Sequence, residues 1–240
     1  MTQVEICIDC SNPAEALISA AAAEAAGAHR IECCASMDEG GLTPDPEIIQ
    51  TIVDAVGGRI DILVMIRPRS GDFNFSRSER LTMLTSAEEM IALGVDGIVV
   101  GSLVNGEIDE TFCEEIGTFS SYNGVIPTFH RAFDALDSPI DALQALTDCR
   151  FQRILTSGNP WLSGKNATEG LLEIKKYADA FPKMEFVIGG GVSATNAPEL
   201  LDALAGRRIS LHAFSSVLEN GRTSRDKVEA LVNLARNASS

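Results

Sequence analysis

Basic residues are scarce in this chain: 19 Lys and Arg stand against 34 Asp and Glu, a formal charge of −15 over 240 residues with a pI near 4.5. Nucleic acids and anionic membranes are bound through clustered Lys and Arg, so this balance argues against both as partners and leaves the acidic excess as a solvated surface. Long apolar runs are missing too, and none approaches the roughly 20 residues of a membrane-spanning helix. The chain opens Met-Thr-Gln-Val-Glu and enters an apolar run at once, without a basic n-region and apolar stretch, so no signal peptide is expected. Linkers are absent as well: no Pro/Ser-rich stretch or charge block divides the chain, and low complexity is confined to residues 20–26, where Glu24 interrupts a run of alanines. Six cysteines in a chain of this size are not needed as a disulfide framework, which predicts reduced thiols in a cytoplasmic protein.

What is present is a repeated short apolar run. Eight occur, at 4–8, 29–33, 61–66, 97–101, 125–129, 153–156, 185–189 and 209–213, each rich in Ile, Val or Leu and too short for a helix. Such runs read as parallel strands covered on both faces. Helical punctuation lies between them: Asn12 as an N-cap with Pro13 at the first helical position and Gly27 as the stop, Ser138-Pro139 opening a segment before Cys149, and Ser224 opening the last. Strand, capped helix and return strand repeated eight times predict a (β/α)8 TIM barrel in a single domain spanning 1–240. An open doubly wound sheet would share the alternation, but the run count and the lack of a GxGxxG after the first strand weigh against it.

Alternate residues of a barrel strand face the lumen. Placing Ile6 and Ile8 outward turns Glu5, Cys7 and Asp9 inward, and Ile31 and Cys33 outward turns Glu32 and Cys34 inward. Val64 and Ile66 outward bring Met65, Arg67 and, by extension, Arg69 to the lumen. Phe129 outward sends Thr128 and His130 inward, and His212 at the end of the last run joins them. Charges at strand C-termini read either as an internal ion-pair network or as a binding site, and barrel enzymes keep their sites at that end. His130, followed by Arg131 and Asp134, reads as a proton-transfer group held by a carboxylate or as a hydrogen-bonded core histidine. His29, before the second run, lies at the opposite end and reads as structural.

The last three runs end in small residues: Thr156-Ser157-Gly158, Gly189-Gly190-Gly191 and Ser215-Ser216. Exposed N–H groups at such turns can cradle an anion, and the same pattern also serves a tight βα turn. Two longer loops, 69–75 and 159–166 with Trp161, have the length to cover the mouth. Among the thiols, Cys7 and Cys10 form a lone C-x2-C without the second pair of a zinc site. Cys7 and Cys34 instead face one lumen from adjacent strands only about 4.8 Å apart. The pair reads as two small buried hydrophobes or as a site for a soft metal such as Cu(I). Cys113 and Cys149 fall in helical stretches.

These residues carry a family resemblance. Glu5-Ile-Cys7-Ile-Asp9, Arg30-Ile-Glu32-Cys-Cys34 with Glu39-Gly-Gly-Leu-Thr-Pro44, Val64-Met-Ile-Arg-Pro-Arg69 with Gly71-Asp-Phe73, Gly97-Ile-Val-Val-Gly101, Thr128-Phe-His-Arg-Ala-Phe-Asp134, Arg153-Ile-Leu-Thr-Ser-Gly158 and Gly189-Gly-Gly191 together resemble the CutC family, called copper homeostasis proteins, from Val4 to about Ser215. The resemblance implies a TIM barrel, a cytoplasmic location, homo-oligomers and a role in copper tolerance, with Cu(I) held by thiolates at Cys7 and Cys34. The chain departs from the family pattern at Cys10, Cys33 and Phe214, which adds thiols and narrows the mouth.

Two functions are therefore expected to compete. One is copper homeostasis through Cu(I) at Cys7 and Cys34. The other is an enzyme acting on a small anionic or phosphorylated metabolite, with Glu32 or His130 as acid/base and Arg67 holding an oxyanion. In that second reading Glu5, Arg69, Asp134, Thr156, Ser157, Gly158, Gly190, Gly191 and His212 contact the ligand.

Overall fold

The computed structural model describes residues 2–238. Eight parallel strands close into a barrel: β1 (Gln3–Asp9), β2 (Arg30–Cys34), β3 (Asp61–Ile66), β4 (Gly97–Val100), β5 (Ile126–Phe129), β6 (Arg153–Thr156), β7 (Glu185–Ile188) and β8 (Ile209–Ala213). They neighbour one another in chain order, and β1 closes the ring against both β2 and β8. The helices α1 (Pro13–Ala25), α2 (Pro46–Val56), α3 (Arg77–Ala92), α4 (Glu110–Asn123), α5 (Pro139–Asp148), α6 (Leu171–Ala180), α7 (Ala197–Ala203) and α8 (Arg225–Asn237) alternate with these strands. This is the expected TIM barrel. Short two-stranded ribbons follow β4 (Leu103–Val104 with Glu107–Ile108) and β8 (Leu218–Glu219 with Arg222–Thr223).

Local chemistry sets the boundaries. Asn12 caps α1 by accepting from the N–H groups of Ala14 and Glu15 at 3.0 and 3.2 Å, and Pro13 costs nothing at a position whose N–H has no helical partner. Gly27, at φ +78°, turns the chain out of α1. Ser76 and Glu79 form a reciprocal capping box at the start of α3.

Two apolar cores result from the strand pleat. Ile6, Ile8, Ile31, Cys33, Val64, Ile66, Phe129 and Ile154 pack against the helices in the large outer core. Cys7, Cys34, Leu63, Met65 and Val99 form a separate small cluster inside the ring, with Met37 and Phe214 against it. The period-2 alternation thus delivers sulfur to the lumen and aliphatic bulk to the helix layer.

The N-terminal halves of the strands fill the lumen with a paired charge network. Arg153, 1% exposed, donates to Glu5 and, at 2.8 Å, to the Thr128 hydroxyl, and its Nε lies 3.4 Å from Glu185. Arg30 and Ser210 both donate to Glu185 at 2.8 Å. Burial alone would raise the Glu185 pKa, but Arg153 and Arg30 hold it below the usual carboxylate range. Glu5, expected to contact ligand, belongs to this floor: Arg153 takes its carboxylate, and it does not line the mouth.

Candidate functional site

Above that floor, the C-terminal strand ends enclose a cavity of about 240 Å³. Its walls include Cys7, Glu32, Cys34, Met65, Arg67, His130, Gly189–Gly191 and His212, closed over by Phe73, Trp161 and Phe214 from the loops. Glu32, Arg67 and His130 are each 2% exposed and share this one cavity. Both loops expected to cover the mouth supply aromatic walls: the Phe73 ring lies 5.1 Å from Trp161 and 5.1 Å from His130.

Sulfur lines one side. The Cys7 Sγ is 3.8 Å from the Cys34 Sγ and 3.7 Å from the Met37 Sδ. The register that pairs Cys7 with Glu32, and Asp9 with Cys34, across β1 and β2 sets the thiols diagonally, with Glu32 directly opposite Cys7 and two residues before Cys34. One carboxylate oxygen of Glu32 lies within 4.8 Å of both thiols. The Cys34 thiol is held well above the usual range by its hydrogen bond with Cys7 and by burial, with Glu32 adding to the effect. Met37 is not accessible to strand parity. It sits on a single 3₁₀ turn, Met37–Glu39, bracketed by left-handed Ser36 (φ 49°) and Gly40 (φ 86°), and the only sequence signal is a Met-Asp-Glu-Gly-Gly segment directly after β2. Cys10 and Cys33 do not compete at this site, because they pack together in the outer core on the opposite face of the sheet.

Glu32 and His212 form an ion pair through Glu32 Oε2 and His212 Nε2, with Glu5 Oε1 4.0 Å from the same nitrogen. Burial alone would lower the His212 pKa, but Glu32, Cys7 and Glu5 together raise it well above the ordinary histidine value, so the ring is cationic. The second oxygen, Glu32 Oε1, is buried without a hydrogen-bond partner among the described residues.

His130 has the opposite character. The Ala132 N–H donates to its Nδ1 at 3.1 Å, which places the ring proton on Nε2. Burial, reinforced by the Arg67 guanidinium, pushes its pKa down to about 3. The ring is therefore a neutral donor at physiological pH, and its Nε2 is buried without a partner among the described residues. Asp134 does not hold it. That carboxylate accepts from Arg131 Nε at 2.9 Å, from the Ser157 N–H at 3.1 Å and hydroxyl at 3.0 Å, and from the Thr156 hydroxyl.

Arg67 is a buried cation with no carboxylate within ion-pair distance among the described residues. Its Nη1 donates to the carbonyls of Glu39, Gly40 and Gly41 at 3.4, 3.2 and 3.4 Å, its Nη2 donates to that of Gly71 at 2.9 Å, and its Nε has no hydrogen-bond partner among the described residues. The guanidinium lies 4.9 Å from the Phe73 ring centroid.

Several expected contacts fall outside the cavity. Arg69 shares the parity of Arg67, but β3 ends at Ile66 and the chain turns at Pro68, so Arg69 points into its own loop and binds Glu79, Asp72 and the Asn74 carbonyl. Asp134, Thr156, Ser157 and Gly158 make a saturated network behind the wall, whose outward product is Arg131, stacked 5.0 Å over Trp161. Asp9 stays at the rim, accepting from Ser11. Gly190 and Gly191 do line the cavity at φ +89° and +80°, and a Cβ on Gly190 would stand 2.8 Å from that of Ser157, so the turn requires glycine. His29, at the other end, accepts from the Val4 N–H at 3.1 Å and is structural.

Comparison with known proteins agrees with this architecture. The family model described as the CutC family matches residues 2–215. A CutC family protein of Histophilus somni (strain 2336) is 38% identical over 200 residues, covering 82% of this chain and 76% of its own length. The human protein named copper homeostasis protein cutC homolog is 36% identical over 201 residues, covering 83% and 68%. The crystal structure of CutC from Streptococcus agalactiae superposes with a TM-score of 0.78 at 26% identity, over 88% of this chain and 98% of that one. The chain belongs to the CutC family.

Proposed function

We propose that this protein binds Cu(I) at the sulfur-lined side of the cavity, through Cys7 and Cys34 with the Met37 thioether as third ligand, and serves copper homeostasis as the names of its relatives imply. The observation that carries this reading is the three-sulfur cluster. Thiolate and thioether donors are soft and select Cu(I) over harder divalent ions. Three sulfurs arranged around one ion at roughly 2.3 Å each lie about 4 Å apart in a trigonal plane. The separations of 3.8 and 3.7 Å from Cys7 to its neighbours need little adjustment to reach it. The proton on Cys34 must leave for a thiolate to bind metal, so loading releases acid. A cytoplasmic location, where thiols stay reduced, and a homo-oligomeric assembly belong to the same reading.

The test is an anaerobic titration of Cu(I) against a competing chelator. Wild type is expected to take up one equivalent, Cys7→Ser and Cys34→Ser each to lose affinity by at least an order of magnitude, and Met37→Leu to lose less. Unchanged affinity in both cysteine variants overturns the reading.

A further inference from the structure

The three sulfurs leave half of the cavity unexplained. Arg67, His130 and the free oxygen of Glu32 make no hydrogen bond to a sulfur ligand and are not among the three sulfur donors, although a Glu32 carboxylate oxygen lies within 4.8 Å of both thiols. Yet each is buried, and a buried polar atom without a partner costs free energy that a ligand can recover. Three such atoms occur on residues walling one space: Arg67 Nε and His130 Nε2, both donors, and Glu32 Oε1, an acceptor.

Charge defines what fits. Arg131 is paired with Asp134 and Glu32 with His212, whereas Arg67 lines the cavity with no carboxylate within ion-pair distance among the described residues. Beside it, neutral His130 adds a hydrogen-bond donor without adding charge. The N–H groups of Gly190 and Gly191 find no acceptor among the described residues and lie on the same wall. An anionic group meets these donors. A second anionic group would be repelled by Glu32, whose free oxygen calls instead for a hydroxyl. Phe73, Trp161 and Met65 offer apolar surface to a short carbon chain. The volume of about 240 Å³ is below the roughly 300–1,000 Å³ of sites for drug-sized ligands, which limits the occupant to a small metabolite.

The geometry points to a second ligand site in this protein, for a small hydroxylated oxyanion: the carboxylate or phosphate binds Arg67 and His130 Nε2–H, and the hydroxyl donates to Glu32 Oε1. Both anion types share this chemistry, and the donor set accepts either. None of these three residues is a ligand in the copper reading, which rests on Cys7, Cys34 and Met37, so the two sites can fail separately.

The test is calorimetric titration of the copper-free full chain, at fixed ionic strength, with four probes: acetate, glycolate, inorganic phosphate and glycerol 3-phosphate. Each probe with an alcohol hydroxyl is expected to bind about tenfold more tightly than its partner without one, and the tighter of the two alcohol-bearing probes identifies the anion type. Arg67→Gln is expected to weaken binding about tenfold or more, while Arg67→Lys retains part of it. In wild-type protein, the His130 Nε2–H resonance is expected to move on addition of the best probe, which reads the contact without a variant. Glu32→Ala, which removes the acceptor, is expected to erase the hydroxyl preference. No binding by any probe, a stationary His130 resonance, or an undiminished hydroxyl preference in Glu32→Ala overturns the proposal and leaves the copper titration unaffected.

Discussion

Two histidines on the wall of the same cavity carry opposite charge states, and their neighbours explain why. His212 faces Glu32 and Glu5, so attraction outweighs burial and the ring stays protonated. His130 faces the Arg67 guanidinium and aromatic rings, so burial and repulsion act together. For His130 the folded pKa of about 3 lies below the unfolded value near 6.5, so the unfolded chain binds the extra proton between those limits. Its contribution is complete above pH 6.5 and is lost as pH falls toward 3, for a total on the order of 4–5 kcal/mol. His212 has the reverse sign: its raised pKa stabilises the fold below pH 6.5, and that contribution is lost as pH rises through the folded value. Denaturant titrations of wild type and His130→Gln across pH 3.5–7 are expected to converge as the pH drops, because the variant lacks this term. Parallel curves would mean that the wild-type ring protonates in the folded state.

The elements place these side chains through the pleat, and this is also where the sequence was most readable. Ile6 with Ile8 and Val64 with Ile66 fix the outward face of β1 and β3, so Cys7, Met65 and Arg67 had to turn inward, and they do. Parity fails where the strand ends. Arg69 lies past Pro68, and Met37 lies on a turn whose left-handed residues have no periodicity to read. The floor was missed for a related reason: Arg30, Arg153 and Glu185 are the first residues of their strands, where a charge beside an apolar run looks like a solvated end. The closed ring instead aims all three into the lumen and ties β1, β2, β6 and β7 together. Arg153→Met is therefore expected to destabilise the fold by roughly 3–5 kcal/mol, because Glu5 and Glu185 lose a buried partner. Chemical denaturation measures this, and a loss under about 1 kcal/mol would show that the floor relaxes or hydrates.

At the scale of the whole molecule, an acidic exterior surrounds a mouth that holds an unpaired cation and a cluster of sulfur. The eight apolar runs and their caps were enough to identify the barrel, because parallel strands and N-caps are local in sequence. The division of the mouth into a sulfur side and a polar side was not, since it depends on which loop residues close over the strands. The barrel brings residues from β1, β2 and the following turn into sulfur contact that no linear spacing announces. The claim most exposed to test is that these three sulfurs form one Cu(I) site. X-ray absorption of the anaerobically loaded protein measures the ligand set directly: the expected spectrum is a copper edge of Cu(I) with a shell of sulfur alone, collapsing in the Cys7→Ser/Cys34→Ser double variant. A shell dominated by nitrogen or oxygen, or a sulfur shell that persists in that variant, would contradict it.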